Sequence, residues 1–218
     1  MMAHPNSAAE STSPTAKPLP AKPLPFRRLW IPLIIQGALI LAIPAPAIYT
    51  ALTGQTVILK TRPVDPYDLF RGYSQTLSYS ISDTQALAQL SGWDTILQDI
   101  ATDPKHLPRG SQLYVILEAP SNLDRMPPQA WKPVQVSLNR PESLPKNRIA
   151  LKGKIEGAGW LKYGLETYYV PENRREEVNQ AISQIQRSQQ SFVVEVKVDH
   201  RGHAILKSLW VGDKNYRF

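Results

Sequence analysis

The chain has 218 residues, a formal net charge of +7 and no cysteine, which excludes a disulfide framework and a thiolate metal site. Residues 1–52 hold Lys17, Lys22, Arg27 and Arg28 against Glu10, a net of +3, so the rest of the chain carries only +4. No block of five like charges occurs, and the composition argues against a nucleic-acid-binding protein.

Residues 1–28 read as a disordered Pro-rich tail. "STSPTAKPLPAKPLPF" contains "AKPLP" twice, and frequent proline with little apolar surface gives no core to bury. Leu29–Leu52 follows, 24 residues without a charge. A helix of that length spans roughly 36 Å, enough for a transmembrane anchor. Trp30 and Tyr49 sit near its ends, where amphipathic rings favour the membrane interface. Pro32 falls in the first turn, and Pro44 and Pro46 would kink or end the helix early. The rival reading is a signal peptide cleaved at "APA", Ala45–Ala47. The retained anchor is preferred, because the apolar run continues through Ile48–Leu52. Arg27 and Arg28 favour a cytoplasmic N-terminus and therefore an extracytoplasmic domain over residues 53–218.

That domain reads as mainly β with two helices, an α+β class with antiparallel sheets. Strand patterning covers 56–62, 73–82, 111–119, 132–139, 148–155, 163–170, 191–199 and 203–211. "DHRGH" supplies a tight turn at Gly202 for a terminal hairpin. Helical spacing covers 83–100, with Leu87, Leu90, Ile96 and Leu97 on one face, and 172–188, with Val178, Ile182 and Ile185 on one face. Leu59-Lys60 precedes Leu69 and Gly72 at the spacings by which Leu151-Lys152 precedes Leu161 and Gly164. Two readings stand: duplicated ββαββ units over 53–140 and 148–213, or a chance alignment of strand–turn–strand stretches.

The stretch from Val64 to Ser82 is the most unusual. Asp65, Pro66, Asp68 and Arg71 charge and stiffen a turn that ends at Gly72 and Tyr73. "DPYDLFRG" with the following "TLSY" resembles the signature region of the bacterial GDYXXLXY-domain family. The matching positions are Asp65, Pro66, Asp68, Leu69, Arg71, Gly72, Leu77 and Tyr79. The likeness continues in "RIALKGKI", "YGLETYYVPE" and "GHAILKSLWVGD". One departure is that the Asp and Tyr of the eponymous motif after glycine are Tyr73 and Ser74. The resemblance implies a single N-terminal membrane segment, an extracytoplasmic β-rich domain and association with a polytopic membrane protein. It implies no catalytic residue.

Asp65 and Asp68 offer an acid/base pair or a cation site, but Ca²⁺ takes roughly six or more oxygens. The preferred reading is structural: Asp65 and Asp68 cap turns and Arg71 neutralises them. Asp65, Asp68, Arg71, Gly72 and Tyr73 are therefore a candidate loop for partner contact rather than for catalysis. His200 and His203 flank the hairpin turn without an evident third ligand, and neither a metal nor a cofactor is expected. Trp93, Trp131 and Trp210 read as core, and Trp160 in "GAGW" as either packed or offered to a partner. The expected function is a membrane-anchored interaction domain, an accessory subunit of a membrane protein or envelope assembly. The alternative is a hydrolase-like envelope enzyme using the Asp65–Arg71 loop.

Overall fold

Alternating apolar and polar side chains build most of the domain. The computed structural model describes residues 26–62, 74–100, 107–123, 125–157, 159–187 and 192–217. Helices α1 (Phe26–Ala42) and α2 (Ala45–Thr53) come first, then strands β1 (Gln55–Lys60) and β2 (Ser74–Thr76). A 3-10 turn at Ser80–Ser82 leads into helices α3 (Thr84–Leu87) and α4 (Trp93–Ile100). Strands β3 (Gln112–Glu118), β4 (Lys132–Ser137), β5 (Arg148–Gly157), β6 (Trp160–Lys162) and β7 (Thr167–Tyr169) follow. Helix α5 (Glu172–Arg187) and strands β8 (Val193–Val198), β9 (Ala204–Val211) and β10 (Lys214–Tyr216) complete the chain. The α+β class with antiparallel sheets is thus present.

The single helix expected over Leu29–Leu52 is instead two, broken at Ile43–Pro44. Proline lacks an N–H and clashes with the preceding turn, so the ladder restarts with Pro44 at the N-cap of α2. The same break divides the chain into two compact units, Met1–Ile43 and Pro44–Phe218. No single helix among the described residues is long and apolar enough to cross a membrane. The pair Arg28–Ala42 and Ala45–Thr53 passes together, by length and composition.

Within the second unit, one sheet runs β1-β8-β9-β10, another β4-β3-β5-β6, and β2 pairs with β7. All named pairings are antiparallel. The order β1-β8-β9 repeats as β5-β3-β4, but each sheet draws its strands from both predicted halves. The two hairpins share a bulge at the same step. Lys207 is left over between the pairs Glu195↔Ser208 and Val196↔Leu206. Val134 is left over between Ile116↔Gln135 and Leu117↔Pro133.

The core lies between these strands. Val194, Val196 and Val198 of β8 are buried and alternate with half-buried neighbours. They join Val57 and Leu59 of β1, Leu113, Val115 and Leu117 of β3, and Leu151 and Ile155 of β5 in one cluster. Burying each such side chain fully contributes about 1.5–3 kcal/mol. Val178 and Ile182 bring α5 onto the cluster. Trp93 and Trp131 are buried as expected, whereas Trp210 is only half-buried.

Several elements differ from the pattern reading. The helix expected over 83–100 is split, because Gly92 has a positive φ of 90°. A Cβ there would meet the Val136 carbonyl oxygen at 2.1 Å. The strand expected over 73–82 is β2 alone, followed by an isolated bridge at Tyr79 and the 3-10 turn. The strand expected over 163–170 is only β7, which begins after the left-handed Gly164.

Candidate functional site

Asp65, Asp68, Arg71, Gly72 and Tyr73, the loop singled out from the sequence, lie outside the described residues. Their flanks are described. On the near side, the Thr61 N–H and hydroxyl both donate to the Phe192 carbonyl, at 3.1 and 2.5 Å. The Arg62 N–H donates to the Ser78 carbonyl at 2.7 Å, so the chain before the loop is held to the chain after it. Arg62 also pairs with Asp83 at 2.9 Å and lies 5.5 Å from the Trp160 ring centroid. Asp83 caps α3 by accepting the Gln85 N–H at 2.9 Å. On the far side, Ser74 pairs with Tyr169 across β2 and β7. Trp160 and Tyr169 are both exposed, Tyr169 by 72%.

Beneath these flanks two tyrosines lock the backbone. The Tyr79 hydroxyl donates to the Leu165 carbonyl at 2.6 Å, and the Tyr163 hydroxyl to the Ile81 carbonyl at 2.5 Å. The rings meet edge to face at 6.4 Å. Burial, followed by the Glu166 charge, holds both hydroxyls well above the ordinary tyrosine value. They therefore stay protonated near neutrality and serve as fixed donors rather than as acid/base groups.

A second constellation joins α2 to the β8–β9 turn. Asp199 is 3% exposed. Its Oδ1 accepts the Arg201 and His203 N–H groups at 2.8 and 3.0 Å. Its Oδ2 accepts the Thr50 hydroxyl at 2.9 Å and lies 3.6 Å from His203 Nδ1. The Pro46 carbonyl is 3.0 Å from the same hydroxyl, and the charged acceptor is the stronger partner. Burial alone would raise the Asp199 pKa, but the hydrogen bonds from Thr50, Arg201 and His203 outweigh it and hold the carboxyl below its ordinary value. Beside it, the Tyr49 hydroxyl sits 3.2 Å from His200 Nδ1. Gly54 closes the junction: a Cβ there would lie 2.5 Å from the Thr50 carbonyl oxygen, and Lys197 Nζ donates to its carbonyl at 2.9 Å.

His200 and His203 thus face different partners. Among the described residues no group of three or more His, Asp or Glu side chains is placed to hold a metal ion. Asp199 and Thr50 were missed by sequence reasoning. The turn signal in "DHRGH" located Asp199, but its partner in α2 lies 149 residues away.

Concave surfaces lie among the described residues. A cavity of about 290 Å³ adjoins the end of α2, lined by Thr53, Arg140, Arg148 and His200 among others. A groove of about 420 Å³ lies along β5 and β6.

In comparison with known proteins, the family model described as GDYXXLXY protein matches residues 36–209. No curated protein and no solved structure matches the chain.

Proposed function

The chain belongs to the GDYXXLXY protein family, and from that premise we propose that it is a membrane-tethered interaction domain, an accessory subunit of a polytopic membrane protein. The observation that carries the tether is the surface of α1. Leu29, Ile31, Ile34, Leu39 and Leu41 each expose more than half of their surface, and these positions point all around the helix. Such a helix is stable in lipid and costly in water. Its 17 residues reach about 26 Å, and α1 and α2 together pass for a membrane span by length and composition. Arg27 and Arg28 keep the N-terminus in the cytoplasm and direct the β-rich domain outside it.

The interaction reading is supported by Trp160 and Tyr169, exposed aromatics placed beside Arg62 and opposite Ser74 respectively. Aromatic and Arg side chains dominate protein-interface energetics, and Arg62 stacks beside Trp160. We also read the repeated strand order and the repeated bulge as a duplicated ββαββ unit.

The test uses the full chain in its native membrane. Alkaline carbonate should leave it in the membrane fraction, and protease added to intact spheroplasts should digest residues beyond Thr53. A photoreactive residue at position 169 should give one discrete adduct with an integral membrane protein. Carbonate-soluble protein would refute the tether, and diffuse or absent adducts would refute the partner surface.

A further inference from the structure

The register of β5 and β6 places Lys154 directly opposite Lys162. Like charges directly opposite each other on a sheet are destabilising, so the pair works against the fold that carries it. Lys152 lies two residues from Lys154 on the same strand and therefore on the same face. All three lysines line the groove of about 420 Å³, together with Gln112 and His203. Two acids are also present, and both are engaged. Glu156 lies 3.7 Å from Lys162 and 3.5 Å from Arg109, and Glu166 accepts the Tyr163 N–H at 2.7 Å. Lys152 and Lys154 pair with no acid among the described residues. Gly164 also borders the groove, and the space beside it is open, since a Cβ there would meet nothing within 4 Å.

We propose that this groove is a binding site for a phosphate-type oxyanion, held by Lys152, Lys154 and Lys162. The ammonium groups supply charge-assisted donors to a multivalent oxyanion, and Gln112 adds a neutral amide. An anion between Lys154 and Lys162 adds attraction to a like-charge pair of which only Lys162 has an acid beside it. Binding therefore stabilises the native state by mass action. The site is independent of the membrane tether, and it accepts either a soluble phosphate compound or a lipid headgroup.

The probe is inorganic pyrophosphate, added to the full chain in neutral detergent and read by tryptophan-fluorescence melting against sodium chloride of equal ionic strength. Pyrophosphate should raise the wild-type melting temperature beyond the chloride control. Lys154→Gln should raise the ligand-free melting temperature by roughly 1–3 °C, because the like-charge pair is gone. The same variant should weaken pyrophosphate binding by about tenfold or more in calorimetry. Lys132→Gln, an exposed lysine outside the groove, should do neither. That opposite pair of effects separates a ligand site from a structural lysine. No wild-type shift over chloride, or a full shift retained in Lys154→Gln, would overturn the proposal. Nanodiscs of phosphatidylglycerol or of phosphatidylcholine then identify the source. Competition with pyrophosphate by the anionic lipid alone supports the site as one for a headgroup, and absence of competition supports it as one for a soluble phosphate.

Discussion

Removing the carboxylate of Asp199 would leave the Arg201 and His203 N–H groups without their acceptor and the Thr50 hydroxyl with only the Pro46 carbonyl. An unsatisfied buried donor costs about 1–3 kcal/mol, and with two part-buried N–H groups left unpaired Asp199→Ala should destabilise the domain by roughly 2 kcal/mol in urea unfolding. Thr50→Val, which removes one neutral donor from the set, should cost about 1 kcal/mol. The pH dependence follows from the same contacts. The folded pKa of Asp199 is lowered, so its contribution is fully present above the unfolded value near 3.9. It is lost as pH falls through the depressed folded value. Glu195 acts in the same direction: burial would raise its pKa, but hydrogen bonds from Lys207 and Ser208 hold it below the ordinary value. Melting temperatures should therefore be flat from pH 7 to about 5 and fall below about 4. The fall should be smaller in Asp199→Asn, which no longer carries the titrating group. Neither residue was legible in the sequence as a stabilising centre, because the partner of Asp199 is in α2 and the partner of Glu195 stands at a bulge.

Among the elements, glycine conformation separates two positions that look alike in sequence. Gly92 and Gly164 both have positive φ, 90° and 76°. A Cβ at Gly92 would strike the Val136 carbonyl oxygen at 2.1 Å, whereas one at Gly164 would meet nothing within 4 Å. Gly164→Ala should thus cost only the left-handed penalty, about 1–2 kcal/mol. Gly92→Ala should cost clearly more, because β4 must move away from the α3–α4 junction as well. Thermal melts of the two variants check the ranking, and equal losses would contradict it. The Gly92 break was hidden from a reading by periodicity. Leu87 and Ile96 are buried as that reading expects, but a close approach of β4 rather than local pattern interrupts the helix. Long alternating strands such as β8 were legible because burial on one face imposes period two. Strands β6 and β10 have three residues each, too few for a period, and exist through their neighbours. Leu77, Tyr79 and Ile81 are all buried, although the backbone after Thr76 leaves the strand. The loop of Asp65, Asp68, Arg71, Gly72 and Tyr73 lies outside the described residues, so what was legible of the candidate site is its setting between Arg62 and Ser74.

At the scale of the whole domain, the sheets are built by exchange. Strand β1 pairs with β8 and β5 pairs with β3, so each four-stranded sheet needs strands from both sides of the 140–148 connection. The duplication proposed above accounts for this arrangement: two copies of a ββαββ unit that trade their terminal hairpins produce the orders β1-β8-β9 and β5-β3-β4. The exchange has a consequence for autonomy. A fragment ending at residue 140 would retain the β3–β4 hairpin but leave β1 and β2 without partners. A fragment beginning at residue 141 would retain the β5–β6 and β8–β9–β10 ladders but lose β1, β2, β3 and β4. An isolated two-stranded hairpin is marginal in water, and the buried faces of β5 and β8 would be exposed along the lost edges. We therefore expect fragments 44–140 and 141–218, produced separately, to lack a cooperative thermal transition by circular dichroism. Mixed in equal amounts, they should regain one transition and the tertiary signal of the tryptophans, since Trp93 and Trp131 on one fragment belong to the core cluster filled by Val194, Val196 and Leu209 on the other. A single fragment that melts cooperatively by itself would show that half of the core suffices and that the exchanged pairing is not what holds the domain together.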